Sequence, residues 1–205
     1  MIEYVYKFYY FLCNLLYFSC IIISERGISL DDFTAMEQLR NGNTDCLKIV
    51  MDKYGDRLLR SAHLIVKDYG LAQDVVQETF IQAFYKAYQY KGDAGLYTWL
   101  YSILLNFCRQ KLRKSWWKIF CSSVPLDENT NPTHTPEYGS SFDIRAALFS
   151  LPDTYRKVIV MFYYEGFSIK EICSITGDKE GTVKSRLSRC RNMLKDILGE
   201  EDFNE

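Results

Sequence analysis

The sequence predicts an all-α protein: two small helical modules joined by a flexible linker. Three observations carry this. Gly (11) and Pro (4) are scarce among 205 residues, which leaves little material for the many turns of a sheet protein. From residue 44 onward, apolar residues recur mostly at helical spacing. The long aperiodic stretch FCSSVPLDENTNPTHTPEYGSS is rich in Pro, Ser, Thr and Asn, and reads as a linker over 118–142. A chain of this length, 48% hydrophobic, suits one compact domain or two small ones.

Residues 1–35 form an apolar N-terminal extension. Phe8 to Ile23 is almost free of polar groups, yet falls short of the ~20 residues that cross a bilayer. It lacks a small-residue cleavage site and is a poor signal peptide. Three readings stand: a membrane anchor, a helix covering a partner surface, or a misplaced start, with Met36 opening a soluble chain. The misplaced start is favoured, because nothing later in the sequence needs the preceding stretch.

A first helix begins with Thr44 as cap and carries Leu47, Val50, Met51, Tyr54 and Leu58 on one face. A second runs over 71–90, with Val76, Phe80, Ala83, Phe84 and Ala87 as its buried stripe. GDAG at 92–95 breaks it, and a third helix covers 97–117. Residues 36–117 are thus one module. Beyond the linker, helices are expected over 143–149, 152–165, 168–175 and 179–198, with Pro152 at a first helical position. These make a second module over 143–198, and 199–205 is an acidic tail.

Composition excludes several classes. Lys and Arg (25) nearly cancel Asp and Glu (26), so clustering rather than net charge must identify an anionic partner. The seven cysteines contain no CxxC pair, which argues for reduced thiols in the cytoplasm and against structural zinc. His63 and His134 stand without a Ser-His-Asp spacing, a metal cluster or a Gly-rich phosphate loop. Neither an enzyme nor a cofactor is expected, and His63 reads as a tolerated helix residue.

The last two helices carry the sharper signal. Ser168 and Glu171 fit a capping box, Ile169, Ile172 and Cys173 face inward, and Gly177 with Asp178 makes a tight turn. On a wheel at 3.6 residues per turn, Val183, Leu187, Cys190, Leu194 and Ile197 share one face of the following helix. Ser185, Ser188, Arg189 and Asn192 lie opposite, flanked by Lys184 and Arg191 on one side and Thr182 and Arg186 on the other. The outer face holds almost no acid between Glu180 and Asp196, so intrahelical salt bridges do not account for its cations. Helix, turn and cationic helix make a helix-turn-helix, whose second helix enters the DNA major groove. A merely solvated amphipathic helix is the bland alternative. The expected duplex contacts are Thr182, Lys184, Ser185, Arg186, Ser188, Arg189 and Asn192.

The stretch from LPDTYRKVIV through EGFSIKEI to GTVKSRLSRCRNMLK resembles region 4 of sigma-70 family transcription initiation factors, especially the extracytoplasmic-function (ECF) group. GTVKSRL alone also resembles LuxR-type response regulators. The N-terminal half separates the two: AQDVVQETFIQAFYKAYQY followed by YTWLYSILLNFCRQKLRK resembles sigma region 2. The resemblance implies a dissociable subunit that gives bacterial core RNA polymerase its specificity for promoter DNA, held in check by an anti-sigma protein. A helix-turn-helix regulator acting without polymerase is the alternative.

Asp74, Gln77, Glu78, Ile81 and Tyr85 form a mixed acidic and apolar face on the second helix. By periodicity it is an ordinary solvated face; by resemblance it grips the polymerase. On the third helix, Thr98, Ser102, Asn106, Arg109 and Arg113 share a face, Tyr97, Trp99, Tyr101 and Phe107 surround it, and Lys111, Lys114 and Lys118 extend its charge. Cations with nearby aromatics suit single-stranded DNA, which offers phosphates and unstacked bases together. Resemblance implies capture of a flipped base of the −10 element, with Asn106 reading it and 92–97 as a pocket wall. The expected −10 contacts are Asn106, Arg109, Lys111, Arg113 and Lys114; Trp99 and Phe107 are expected in the core. DKE at 178–180 departs from the family pattern and places acids beside the −35 phosphates.

Overall fold

Asp31 begins the described part of the chain and shows at once how local chemistry fixes a helix. Its carboxylate accepts the Thr34 amide at 2.7 Å, capping α1 (Asp32–Arg40) and satisfying one of the amides that the first turn leaves without a partner. In this computed structural model, residues 31–121 and 141–198 are described; they contain helices and turns and no strand. Ala35, Met36 and Leu39 of α1 are buried, and Met36 is only 1% exposed. Asp32 holds Lys53 Nζ at 2.7 Å and accepts the Tyr54 hydroxyl at 2.6 Å. The expected break between residues 35 and 36 therefore falls inside a packed helix, and residues 31–35 belong to the N-terminal module. Residues 8–23, with their membrane, partner and start readings, lie outside the described residues, as does the 199–205 tail.

α2 (Asp45–Val66) comes next, but the Thr44 side chain makes no capping bond. Asn43 Oδ1 accepts the Asp45 amide instead, at 3.2 Å. Val50 and Leu58 are buried as expected, and Leu47, Met51 and Tyr54 pack against them. Lys67, in left-handed conformation, ends the helix. His63 is half-buried between the rings of Tyr69 and Phe149, each 5.7 Å away, where burial lowers its pKa and keeps it neutral.

α3 (Tyr69–Tyr85) is capped by Asp68 and ends five residues earlier than expected, in a 3-10 turn over Ala87–Gln89. Its buried stripe is Ala72, Val75, Thr79, Phe80 and Ala83; Val76 and Phe84 are only partly covered. Thr79 is tolerated there because its hydroxyl donates to the Val75 carbonyl at 2.7 Å. Gly92 in the break has φ +80° with the Phe33 ring 3.2 Å from where a Cβ would sit, so a side chain there would be strained and would press on that ring.

α4 (Leu96–Cys121) is the longest described helix, about 39 Å from end to end. Leu96, Leu100, Tyr101, Leu104, Leu105 and Cys108 are buried. The helix occupies the first residues of the expected linker; 122–140 lie outside the described residues. α5 (Ser141–Ser150) and α6 (Asp153–Ile159) come after it, with Pro152 at the N-cap of α6 rather than inside it. The chain then widens into a π-helical turn over Val160–Tyr164, closed by Glu165 N to Val160 O at 3.0 Å. α7 (Ile169–Thr176) has the expected capping box, and Gly177 at φ +75° turns the chain into α8 (Glu180–Leu198).

The two halves pack against each other. Arg156 is fully buried at their seam, donating from Nε and Nη2 to the Ile65 carbonyl at the end of α2 (3.1 and 2.7 Å). Its Nη1 reaches the Leu151 carbonyl at 2.6 Å and Asp153 balances its charge, so the buried guanidinium has a partner on each side.

Candidate nucleic-acid interfaces

α8 is split along its length as the wheel predicts. Val183, Leu187 and Cys190 are buried, and the Cys190 thiol donates to the Tyr155 carbonyl at 3.2 Å. Leu194 packs at the margin, but Ile197 is 48% exposed and does not join the inward face. Lys184, Ser185, Ser188, Arg189, Arg191 and Asn192 are exposed; Thr182 and Arg186 are half-buried.

Two of these cations are engaged, and one of the pairs is intrahelical, against the expectation that salt bridges within the helix do not account for its cations. Glu180 pairs with Lys184 one turn on, at 2.6 Å, and Asp178 pairs with Arg186. Burial would raise the Asp178 pKa, but the bond and charge of Arg186 outweigh it and hold the carboxyl below its usual range. Asp178 is also placed by its own amide, which donates to Thr176 Oγ1 at 3.1 Å. The DKE departure thus orients and partly neutralises the N-terminal end of the helix. Arg189 and Arg191 have no ion pair among the described residues and present unshared charge.

The α4 surface is more entangled. Asn106, Arg113 and Lys114 are exposed. Arg109 is half-buried, with Nη1 3.4 Å from Asn106 Oδ1 and Nη2 3.3 Å from the Thr176 carbonyl at the end of α7. Lys111 turns the other way, to Glu78 at 2.9 Å and Asp74 at 3.6 Å on α3. One expected DNA contact is therefore tied to two expected polymerase contacts. Gln77 and Ile81 are half-buried beside them, and Tyr85 is 61% exposed.

Asn106, Arg109 and Arg113 line a cleft of about 530 Å³ together with Phe107 and Gln110 of α4, Gln82 of α3 and Lys86 at the C-cap of α3. Sequence reasoning missed Gln82, Lys86 and Gln110. Their signal was the i, i+4 spacing of 82 with 86 and 106 with 110, which puts each pair on one helix face.

The aromatics around this face divide. Phe107 packs on the core and walls the cleft, and Trp99 lies against Tyr90 with ring centroids 5.4 Å apart. Tyr101 is fully buried and hydrogen-bonds Ser61 at 2.7 Å, so it is closed to bases. Tyr97 stacks on Phe167 of the C-terminal module at 5.9 Å and donates its hydroxyl to Glu165 at 2.8 Å. Burial and the Glu165 charge push its phenol pKa far up, so it remains a donor.

Among the described residues no His, Cys, Asp and Glu cluster could hold a metal, and no helix is long and apolar enough to cross a membrane. What the arrangement offers is binding: an exposed cationic helix on a turn, and a cationic cleft on a second module.

The family model for sigma-70 region 2 matches residues 50–118, and that for sigma-70 region 4 matches residues 141–194. The chain is 32% identical over 154 residues to the ECF RNA polymerase sigma factor SigE of Mycolicibacterium smegmatis, a match spanning 71% of this chain and 59% of that relative. It is 30% identical over 143 residues to SigM of Mycobacterium tuberculosis, spanning 70% of this chain and 72% of the relative. Among solved structures, the sigma factor RpoE of Bartonella quintana, in complex with the anti-sigma factor NepR, superposes with a TM-score of 0.65. That match has 28% identity and covers 79% of this chain and 99% of the other.

Proposed function

The chain belongs to the extracytoplasmic-function group of the sigma-70 family, and we propose from that premise that it binds bacterial core RNA polymerase and directs it to promoters. The observation that carries this reading is the coexistence, in one chain, of an exposed cationic helix after a tight turn and a second cationic cleft on a separate helical bundle. A regulator acting without polymerase accounts for the first feature and leaves the second unused.

The two surfaces divide one task. α8 lies in the major groove of the −35 element, with Arg189 placed for a guanine edge and Ser185, Ser188 and Asn192 for shorter bonds. Lys184 and Arg186 serve phosphates, their direction set by Glu180 and Asp178. The cleft beside Asn106 receives an extruded −10 base, while Arg109, Arg113 and Lys114 follow the parted strand. Strand separation needs no hydrolysis here: binding of exposed bases and phosphates offsets the lost pairing. The factor acts by binding, without cofactor or catalysis of its own, in the cytoplasm.

Asp74, Glu78, Ile81 and Tyr85, with Gln77 between them, form the polymerase-docking face. Likeness to the Bartonella complex supports an anti-sigma partner. Whether residues 8–23 hold the protein to a membrane is answered by fractionating tagged chains with and without residues 1–30, a cut that spares the Asp31 cap.

Mapping transcription start sites genome-wide after induction tests the reading, because it yields both promoter elements at once. Purified protein added to core polymerase is then expected to start transcription at those sites. Unaided binding to DNA as a dimer, with core polymerase unchanged, would hand the function to the regulator reading.

A further inference from the structure

Phe33 and Arg40 take no part in the burial that fixes α1. Ala35, Met36 and Leu39 seat the helix in the core. Phe33 and Arg40 are exposed residues seven positions apart, two turns along one face. Both nevertheless turn to one segment, the break between α3 and α4. Arg40 Nε donates to the Ala87 carbonyl at 2.8 Å, across 47 positions of sequence. That carbonyl also accepts the Tyr90 amide at 3.2 Å, the bond that closes the 3-10 turn. The Phe33 ring lies against Gly92, 3.2 Å from the place a Cβ would take.

The segment needs such support. Residues 91–95 are exposed and outside any helix. From within, the Tyr90 hydroxyl donates to the Ala94 carbonyl at 3.1 Å, and the Tyr90 ring lies 5.4 Å from that of Trp99. From outside, α1 supplies Arg40 and Phe33. α1 is itself anchored beside Phe33, where Asp32 holds Lys53 and Tyr54 of α2. A line of contacts thus runs from α2 through α1 to the turn at 87–89 and the bend at Gly92. A charged donor on a backbone carbonyl is among the stronger single bonds available to fix such a turn.

The place of this segment gives it a role. Lys86, which lines the cleft beside Asn106, directly precedes Ala87. Residues 92–97 are the expected wall of the −10 pocket. The positions of Ala87 and Gly92 therefore set where a cation and a backbone wall stand around an extruded base.

We propose that α1 is a positioning element for base reading at −10: Arg40 and Phe33 hold the 87–92 segment in register with the cleft, without touching DNA themselves. The inference rests on the sigma-factor reading and adds residues that set the specificity of its single-strand site. A loosened segment admits several bases, so the loss falls on discrimination before it falls on affinity.

The test uses the full chain assembled with core polymerase. The probes are promoter fragments from start-site mapping, with each of the four bases in turn at each −10 position of the unpaired strand. Arg40→Ala and Phe33→Ala are each expected to lower the preference for the favoured base about fivefold. Arg40→Lys keeps a charged donor and Phe33→Tyr keeps the ring, so both should retain most of it. Affinity for core polymerase and for −35 duplex is expected to stay at the wild-type value. Glu37→Ala, an exposed change on the same helix, should leave the preference intact. Circular dichroism checks folding; should Arg40→Ala unfold, Phe33→Ala and Arg40→Lys carry the comparison. Wild-type base preference in the folded alanine variants would overturn the inference. So would an equal loss at every base together with weaker polymerase binding, which makes α1 a structural helix only. A wild type with no preference at −10 sinks the sigma-factor reading instead, so the two failures are told apart.

Discussion

The outer face of α8 and the cationic face of α4 look alike on a helical wheel and behave differently in the fold. On α8, Lys184 and Arg186 are steadied by acids at the start of their own helix or just before it, and Arg189 is left unpaired. On α4, Lys111 is drawn to acids of a neighbouring helix and Arg109 to the other module. The first face is built to be met as it stands. The second is partly spoken for by its own chain, so its affinity depends on conformation as well as composition.

The comparison can be broken most forcefully at the seam. Arg156→Ala leaves the Ile65 and Leu151 carbonyls without their donors and is expected to destabilise the protein by about 3 kcal/mol, read from the urea midpoint. If the two faces differ as described, the folded fraction keeps its duplex binding and shows altered single-strand binding. A drop in both by the same factor would mean that the seam supports α8 as much as α4.

Matched substitutions on the two faces sharpen the contrast. Arg189→Ala is expected to weaken −35 duplex binding by about 1–3 kcal/mol while leaving affinity for core polymerase unchanged. In the free factor, Arg109→Ala should matter less for DNA, because that guanidinium is already engaged with Thr176 and Asn106. Fluorescence anisotropy with each probe reads both. Parallel loss of polymerase and DNA binding in Arg189→Ala would instead make α8 a structural helix.

A smaller effect is expected from acid. Burial lowers the folded-state pKa of His63 below its ordinary 6.5, so the unfolded chain takes up its proton first. The His63 contribution is fully present above pH 6.5 and is lost as pH falls through the lower folded value. Melting curves should show this decline, and His63→Phe, which cannot take a proton, should flatten it. The smallest effect belongs to Lys111→Met. Its partly exposed pairs with Asp74 and Glu78 contribute less than about 1 kcal/mol and fade with salt, and freeing both acids should tighten docking on core polymerase slightly.

What the sequence disclosed was whatever repeats locally. The Ser168–Glu171 box, the Gly177 turn and the Val183–Leu187–Cys190 stripe depend on residues within a few positions of one another, and all stand in the structure. α1 escaped because its nine residues are weakly amphipathic, and it begins within the stretch 1–35 whose dominant feature is an apolar run. Thr44 gave a plausible cap one residue from the Asn43 side chain that reaches the amide. Tyr97 and Tyr101 resembled base-stacking residues until Phe167 and Ser61, far away in the chain, were found against them. Glu165 stood as the last residue of the helix expected over 152–165; no periodicity marks a carboxylate whose partners are on helices contributed by the other module.

The chain between Cys121 and Ser141 supplies roughly twenty peptide units, a tether that reaches at most about 70 Å. Modules joined at that range meet one another at an effective concentration near the millimolar scale, whatever the amount of protein in the cell. A few polar bonds and one ring stack are then enough to favour reunion, because the entropy of finding a partner has been removed by covalent connection. The polymerase must therefore grip both modules at once, and a competitor that grips only one leaves the other free to return.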